Sequence, residues 1–103
     1  MDTTTIDRYF TLAARPDPAD HLALFADDAV VEDENRTHRG RAAIHAWRAE
    51  APRVSYDVLA VEPGPRARVE IAGDFPGSPV ELTFTFGLDG DGRISRLAIR
   101  PNG

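Results

Sequence analysis

Apolar residues recur at Ile6, Tyr9, Phe10, Ala13 and Ala14, the i, i+3, i+4, i+7 spacing of one helical face. This predicts an amphipathic helix from Asp2 to Ala14, capped by Thr3 to Thr5 and ended by Arg15-Pro16, because the residue before a proline is pushed out of the α region. Asp17-Pro18 is an N-cap acid followed by proline at the first helical position. It is expected to open a second helix with Leu22, Leu24 and Phe25 along its apolar edge and Asp27-Asp28 as its end. Ala29 to Asp33 then reads as a short strand finishing on a carboxylate, and Glu34 to Gly40 as a polar loop. A third helix is predicted over Arg41 to Glu50, with Ala43, Ile44 and Trp47 on one face and Pro52 closing it.

From Arg53 the period changes from helical to alternating. Strands are expected over Arg53 to Glu62 and Arg66 to Gly73, joined at Pro63-Gly64-Pro65, with a loop over Asp74 to Pro79. Val80 to Leu88 alternates most cleanly: Val80, Leu82, Phe84, Phe86 and Leu88 inward, Glu81, Thr83, Thr85 and Gly87 outward. A hairpin turn at Asp89 to Gly92 leads to a last strand, Arg93 to Arg100. Its apolar parity slips between Ile94 and Leu97, which predicts a β-bulge near Ser95-Arg96. Helices first and strands afterwards describe an α+β domain with helices covering one face of a curved, mostly antiparallel sheet.

At 103 residues the chain holds one domain with one core, residues 1–103, and no apolar run approaches the roughly 20 residues that span a bilayer. No membrane partner is expected. The opening MDTTTIDRYF lacks a basic stretch and an apolar core of the signal-peptide kind, so the expected compartment is cytoplasmic. Cysteine is absent, which excludes disulfides, thiolate nucleophiles and Cys-based metal sites. Net charge is -5, and the 12 basic residues are all arginine and scattered, so nucleic acid is not an expected partner and lysine Schiff-base chemistry is excluded.

The stretches DRYFTLAA, LALFADDAVVED, HRGRAAIHAW and FTFGLDGDGRISRLAI together resemble the nuclear transport factor 2 (NTF2) fold family, in particular its ketosteroid-isomerase-like and SnoaL-like polyketide-cyclase branches. The resemblance implies a cone-shaped α+β fold, three N-terminal helices packed on the sheet, and an apolar cavity for a small molecule. It also implies a homodimer paired through the outer sheet face, on which Thr83, Thr85 and Gly87 make a flat strip. In the steroid isomerases of this family a first-helix tyrosine donates a hydrogen bond to the substrate carbonyl, and an aspartate ending the first strand moves the α-proton. Tyr9 and Asp33 match those places. A third residue there, a carboxylic acid kept neutral in an apolar site, completes the donor pair; aligned by the last hairpin, its position falls on Phe84, which cannot donate, while Thr83 and Thr85 have the wrong parity.

Two functions stay open on this basis. One is a cofactor-independent isomerase or cyclase that moves an α-proton on an apolar carbonyl compound, with Asp33 as base and Tyr9 as oxyanion donor. The other is a non-catalytic module that binds a hydrophobic ligand or only dimerises. Phe10, Val31, Trp47, Tyr56, Phe84 and Phe86 are the expected pocket lining, and His38, in a loop beside Asp33, is a candidate acid or base. His21 and His45 lie off the apolar stripes and are expected in solvent. No His-x-His or His-Glu-x-x-His spacing occurs, so no metal site is expected. Arg36, Arg39 and Arg41 read as a solvated loop, and Asp89-Gly90-Asp91-Gly92 as a tight turn rather than a calcium loop.

Overall fold

The computed structural model describes residues 4–15, 19–33, 35–50 and 54–101. Within them the order is α1 (Thr4–Ala13), α2 (Ala19–Leu22), β1 (Phe25–Asp33), β2 (Arg36–Arg39), α3 (Gly40–Glu50), β3 (Val54–Glu62), β4 (Arg66–Gly73), β5 (Val80–Leu88) and β6 (Ile94–Pro101). The strands form one curved, unclosed sheet ordered β2-β1-β6-β5-β4-β3. Every neighbouring pair is antiparallel except β1 and β6. This is the α+β architecture expected from the change of period along the chain. No helix among the described residues is long and apolar enough to cross a membrane.

The core lies on the helix-covered side of the sheet. Ile6, Tyr9, Phe10 and Ala13 of α1 are buried against Phe84 and Phe86 of β5, with Phe10 and Phe84 edge to face at 5.1 Å and Tyr9 and Phe86 at 5.3 Å. Ala67, Val69 and Ile71 of β4 and Leu97 and Ile99 of β6 are buried with them, and Ile44 brings in α3. Strict alternation puts these apolar side chains on one face. The other face carries Glu32, Glu62, Arg66, Arg68, Glu81, Arg96 and Arg100 in cross-strand ion pairs. Within one of these clusters, Glu32 takes Arg96 at 2.7 Å and Arg100 at 3.1 Å.

The predicted slip in β6 is a bulge at Ser95. Gly87 faces Arg96 while Leu88 faces Ile94, and the Ser95 hydroxyl donates to the Gly87 carbonyl at 3.1 Å. A Cβ at Gly87 would lie 3.3 Å from the Arg96 Cβ, which accounts for glycine there. Leu88, read as inward, is instead exposed, since it sits past the bulge at the strand end.

Three readings are corrected. The second helix is a single turn ending at Leu22, and Phe25 already belongs to β1. Asp27 and Asp28 therefore do not end a helix; both are exposed where β1 breaks register with β6 between Phe25 and Val30. Arg41 stabilises that irregularity by donating Nε and Nη2 to the Phe25 carbonyl at 3.1 and 2.7 Å, and it pairs with Asp27 at 3.4 Å. The loop expected before Gly40 contains β2, whose Arg36 to Arg39 pair with Asp33 to Val30. A four-residue edge strand of polar residues lacks the alternation that reveals strands, and its pairing with β1 alone defines it. The expected caps at Thr3 and Asp17-Pro18, the stops at Pro16 and Pro52 and the strand start at Arg53 lie outside the described residues.

Candidate functional site

Asp33 ends β1 with the same parity as the buried Ala29 and Val31, so its side chain leaves the sheet on the helix side. There the Trp47 indole Nε1–H of α3 donates to Asp33 Oδ2 at 3.0 Å. The bond fixes one carboxylate oxygen. Oδ1 has no hydrogen-bond partner among the described residues. His38 sits opposite Val31 on β2 and shares this face; its ring lies 5.9 Å from Trp47, inclined by 32°. The strand thus brings His38 to the Asp33 and Trp47 group, although the loop expected to carry it does not exist.

Tyr9 is 2% exposed and surrounded by rings: Phe10 at 5.0 Å, Phe86 at 5.3 Å, Phe84 at 6.1 Å and Phe25 at 6.2 Å. Burial pushes its hydroxyl well above the ordinary tyrosine range. Tyr56 adds to that rise, Arg48 opposes it, and the Asp33 carboxylate adds to it again. Tyr9 is therefore a protonated donor at any working pH, in electrostatic reach of the carboxylate. Tyr56, facing inward from β3 with its ring 5.8 Å from Phe10, is also raised by burial, against which Arg48 acts through its charge and a hydrogen bond.

Phe84 is 2% exposed and stacked against Phe86 at 6.5 Å, so an aromatic ring stands where the resemblance asks for a second donor. Thr83 and Thr85 pair with Arg100 and Ala98 on the outer-face parity and cannot replace it. Phe10, Val31, Phe84 and Phe86 are buried core, and Trp47 and Tyr56 pack partly buried at its margin. An open, polar depression of about 310 Å³ at the β1–β2 hairpin is lined by Glu32, Asp33, Asn35, Arg36, Thr37, Ile99 and Arg100. Asp33 alone among the expected site residues borders it. Among the described residues no three His, Asp or Glu side chains are grouped to hold a metal ion.

Two residues of this interior were not placed there by the sequence. Arg48 lies four residues beyond Ile44, on the inward stripe of α3, and that spacing was the available signal. Its Nη2 donates to the Ala13 carbonyl at the end of α1. His21, expected in solvent, is 1% exposed, with its ring 4.5 Å from Tyr9 and 5.5 Å from Phe25. A one-turn helix has no stripe, so helical spacing misplaced it. Both His21 ring nitrogens lack a partner, and burial, then Arg48, lowers its pKa to about 3. His45 is exposed, as expected, and so are Arg36 and Arg39.

Comparison with known proteins adds the lineage. A provisionally named polyketide cyclase from Sinorhizobium meliloti is 37% identical, covering 94% of this chain and 94% of its own, with a TM-score of 0.85. An NTF2-like protein of unknown function from Exiguobacterium is 23% identical over 95% of this chain and 98% of its own (TM-score 0.78). The epoxide hydrolase/cyclase-like enzyme SalBIII, which has a role in pyran ring formation in the polyether salinomycin, is 15% identical over 97% and 89% (TM-score 0.79). At those last two identities the likeness is one of fold. No curated protein sequence matches the chain. The SnoaL-like domain model matches residues 6–97, and with the helix-on-sheet architecture this places the chain in the SnoaL-like family, on an NTF2-like fold.

Proposed function

We propose that the chain is an isomerase or cyclase that moves a proton from carbon next to a carbonyl in an apolar small molecule. Asp33 Oδ1 takes the α-proton, the carbonyl oxygen becomes an enolate oxygen, and the Tyr9 hydroxyl donates a hydrogen bond to it. The proton then returns to another carbon, or the enolate carbon attacks a second carbonyl of the same molecule, whose C=O π bond opens to an alkoxide that takes the proton back from Asp33. No electrons are exchanged, so the cycle needs no cofactor. The observation that carries this reading is a carboxylate that leaves the sheet on the helix side, held at one oxygen by Trp47, with the buried Tyr9 on that same side of the sheet. The similar protein provisionally named a polyketide cyclase supports the reaction class. The buried setting of Tyr9 strengthens its hydroxyl as a donor.

The test is α-proton exchange in deuterated water over a panel of steroidal and polyketide-like ketones. Tyr9→Phe is expected to slow exchange by about 10²-fold, since it removes one oxyanion donor and keeps the ring packing. Exchange equal to the buffer rate for every ketone would sink the enzyme reading. It would favour the second one, a module that binds a hydrophobic ligand without turning it over, for which Phe84 in the donor's place speaks.

Pairing of two copies through the outer sheet face belongs to the same proposal. That face carries arginines and glutamates in cross-strand pairs, with Thr83, Thr85 and Gly87 between them on β5, and a two-fold pairing would bring each such patch against its own copy. Sedimentation at micromolar concentration is expected to give a dimer, weakened by salt; a monomer would contradict it.

A further inference from the structure

Two arginines lie on the inward stripe of α3, and they are used differently. Arg41 spends Nε and Nη2 on the Phe25 carbonyl and pairs with Asp27. Arg48 donates Nη2 to Ala13 and acts on Tyr56, but its Nε is buried with no partner, and no carboxylate among the described residues pairs with it. A cation suits the C-terminal end of α1, which explains the charge at Ala13. It does not explain the orphaned N–H, since leaving a buried donor unsatisfied is costly and more so when it is charged. The charge also acts on Tyr9, Tyr56 and His21, the polar groups of the interior. His21 carries no charge to compete with it, and β5 offers only Phe84.

We infer that Arg48 is the anion-binding group of this interior. It takes the oxyanion or carboxylate of a flat, aromatic-sized ligand seated against Phe10, Phe84 and Phe86, and so supplies the second donor that β5 lacks. The inference rests on the reading that the interior around Tyr9 is the ligand site, and is independent of proton transfer by Asp33. A guanidinium offers several N–H donors in one plane, so Nε–H can bond the ligand while Nη2 stays on Ala13.

Calorimetry with 2-naphthoate and 2-naphthamide, alike in shape and different in charge, tests it. The wild type is expected to bind the naphthoate about 10- to 100-fold more tightly, the range of a charge-assisted hydrogen bond. Arg48→Gln is expected to bring the two within about twofold, and Arg48→Lys to keep part of the preference. In the wild type itself the Arg48 Nε–H resonance is expected to shift with naphthoate and not with naphthamide, a readout that does not depend on any variant folding. Equal affinities, no binding of either ligand, an unmoved Nε–H resonance, or a folded Arg48→Gln that keeps the preference would overturn the assignment. Loss of ketone exchange with the naphthoate preference intact would sink the proton-transfer reading and leave Arg48 its role.

Discussion

Asp33→Asn is expected to lower α-proton exchange by about 10²–10⁴-fold, the usual worth of a positioned general base. The substitution keeps the shape of the side chain and an oxygen that can still accept the Trp47 Nε1–H, so the 3.0 Å bond between β1 and α3 survives. What disappears is the basic lone pair. The fall therefore belongs in kcat, with KM for the ketone little changed, because the aromatic walls that would hold the substrate are untouched. Thermal unfolding of the variant should stay within a few degrees of wild type, which separates lost chemistry from lost fold. Exchange at the wild-type rate in a folded Asp33→Asn would remove Asp33 from the mechanism, whatever Tyr9 does. A collapse of stability together with activity would instead mark the Asp33 and Trp47 pair as a strut.

The parts of the fold that were legible in the sequence are those with a long, clean period. The α1 stripe up to Ala13, the alternation of β5 up to Phe86 and the parity slip of β6 each follow from side chains that must reach one core and are found where the spacing put them, while Ala14 and Leu88 at the ends of their elements are exposed. Where burial does not alternate, the pattern fails. The run Leu22 to Ala26 is apolar throughout, so nothing in it marks where a one-turn helix gives way to β1, and Asp27-Asp28 looks like a turn although it lies within the strand. β2 is polar because it is an edge; only its partner strand defines it. The site divides in the same way. Tyr9 and Asp33 could be named because they match the family's places on the first helix and at the end of the first strand, whereas Arg48 and His21 were passed over because charged and polar residues are ordinarily exposed, and residues distant in sequence cover them. Arg48 is held by the end of α1, and His21 by a ring on that helix.

His21 makes acid stability the second large effect. Its folded pKa is lowered to about 3, first by burial and then by Arg48, while an unfolded chain protonates it near the ordinary value of 6.5. Between those two values the unfolded state binds a proton that the folded state refuses, so stability is full above pH 6.5 and is lost as pH falls. From pH 7.5 to pH 5 the expected loss from this residue alone is about 2 kcal/mol. The groups that would face an imidazolium sharpen the argument: Tyr9 on α1 stays neutral, and Arg48 on α3 repels it. His21→Leu removes the titrating group together with two unpartnered ring nitrogens. Urea unfolding of both proteins at the two pH values isolates the term, because every other titrating side chain cancels in the difference. The variant is expected to lose about 2 kcal/mol less than wild type over that interval. Parallel pH dependences would mean that the folded protein protonates His21 as readily as the unfolded chain does. Arg48 would then not be the sole positive charge beside Tyr9, and an anion entering the interior would meet two cations at acid pH.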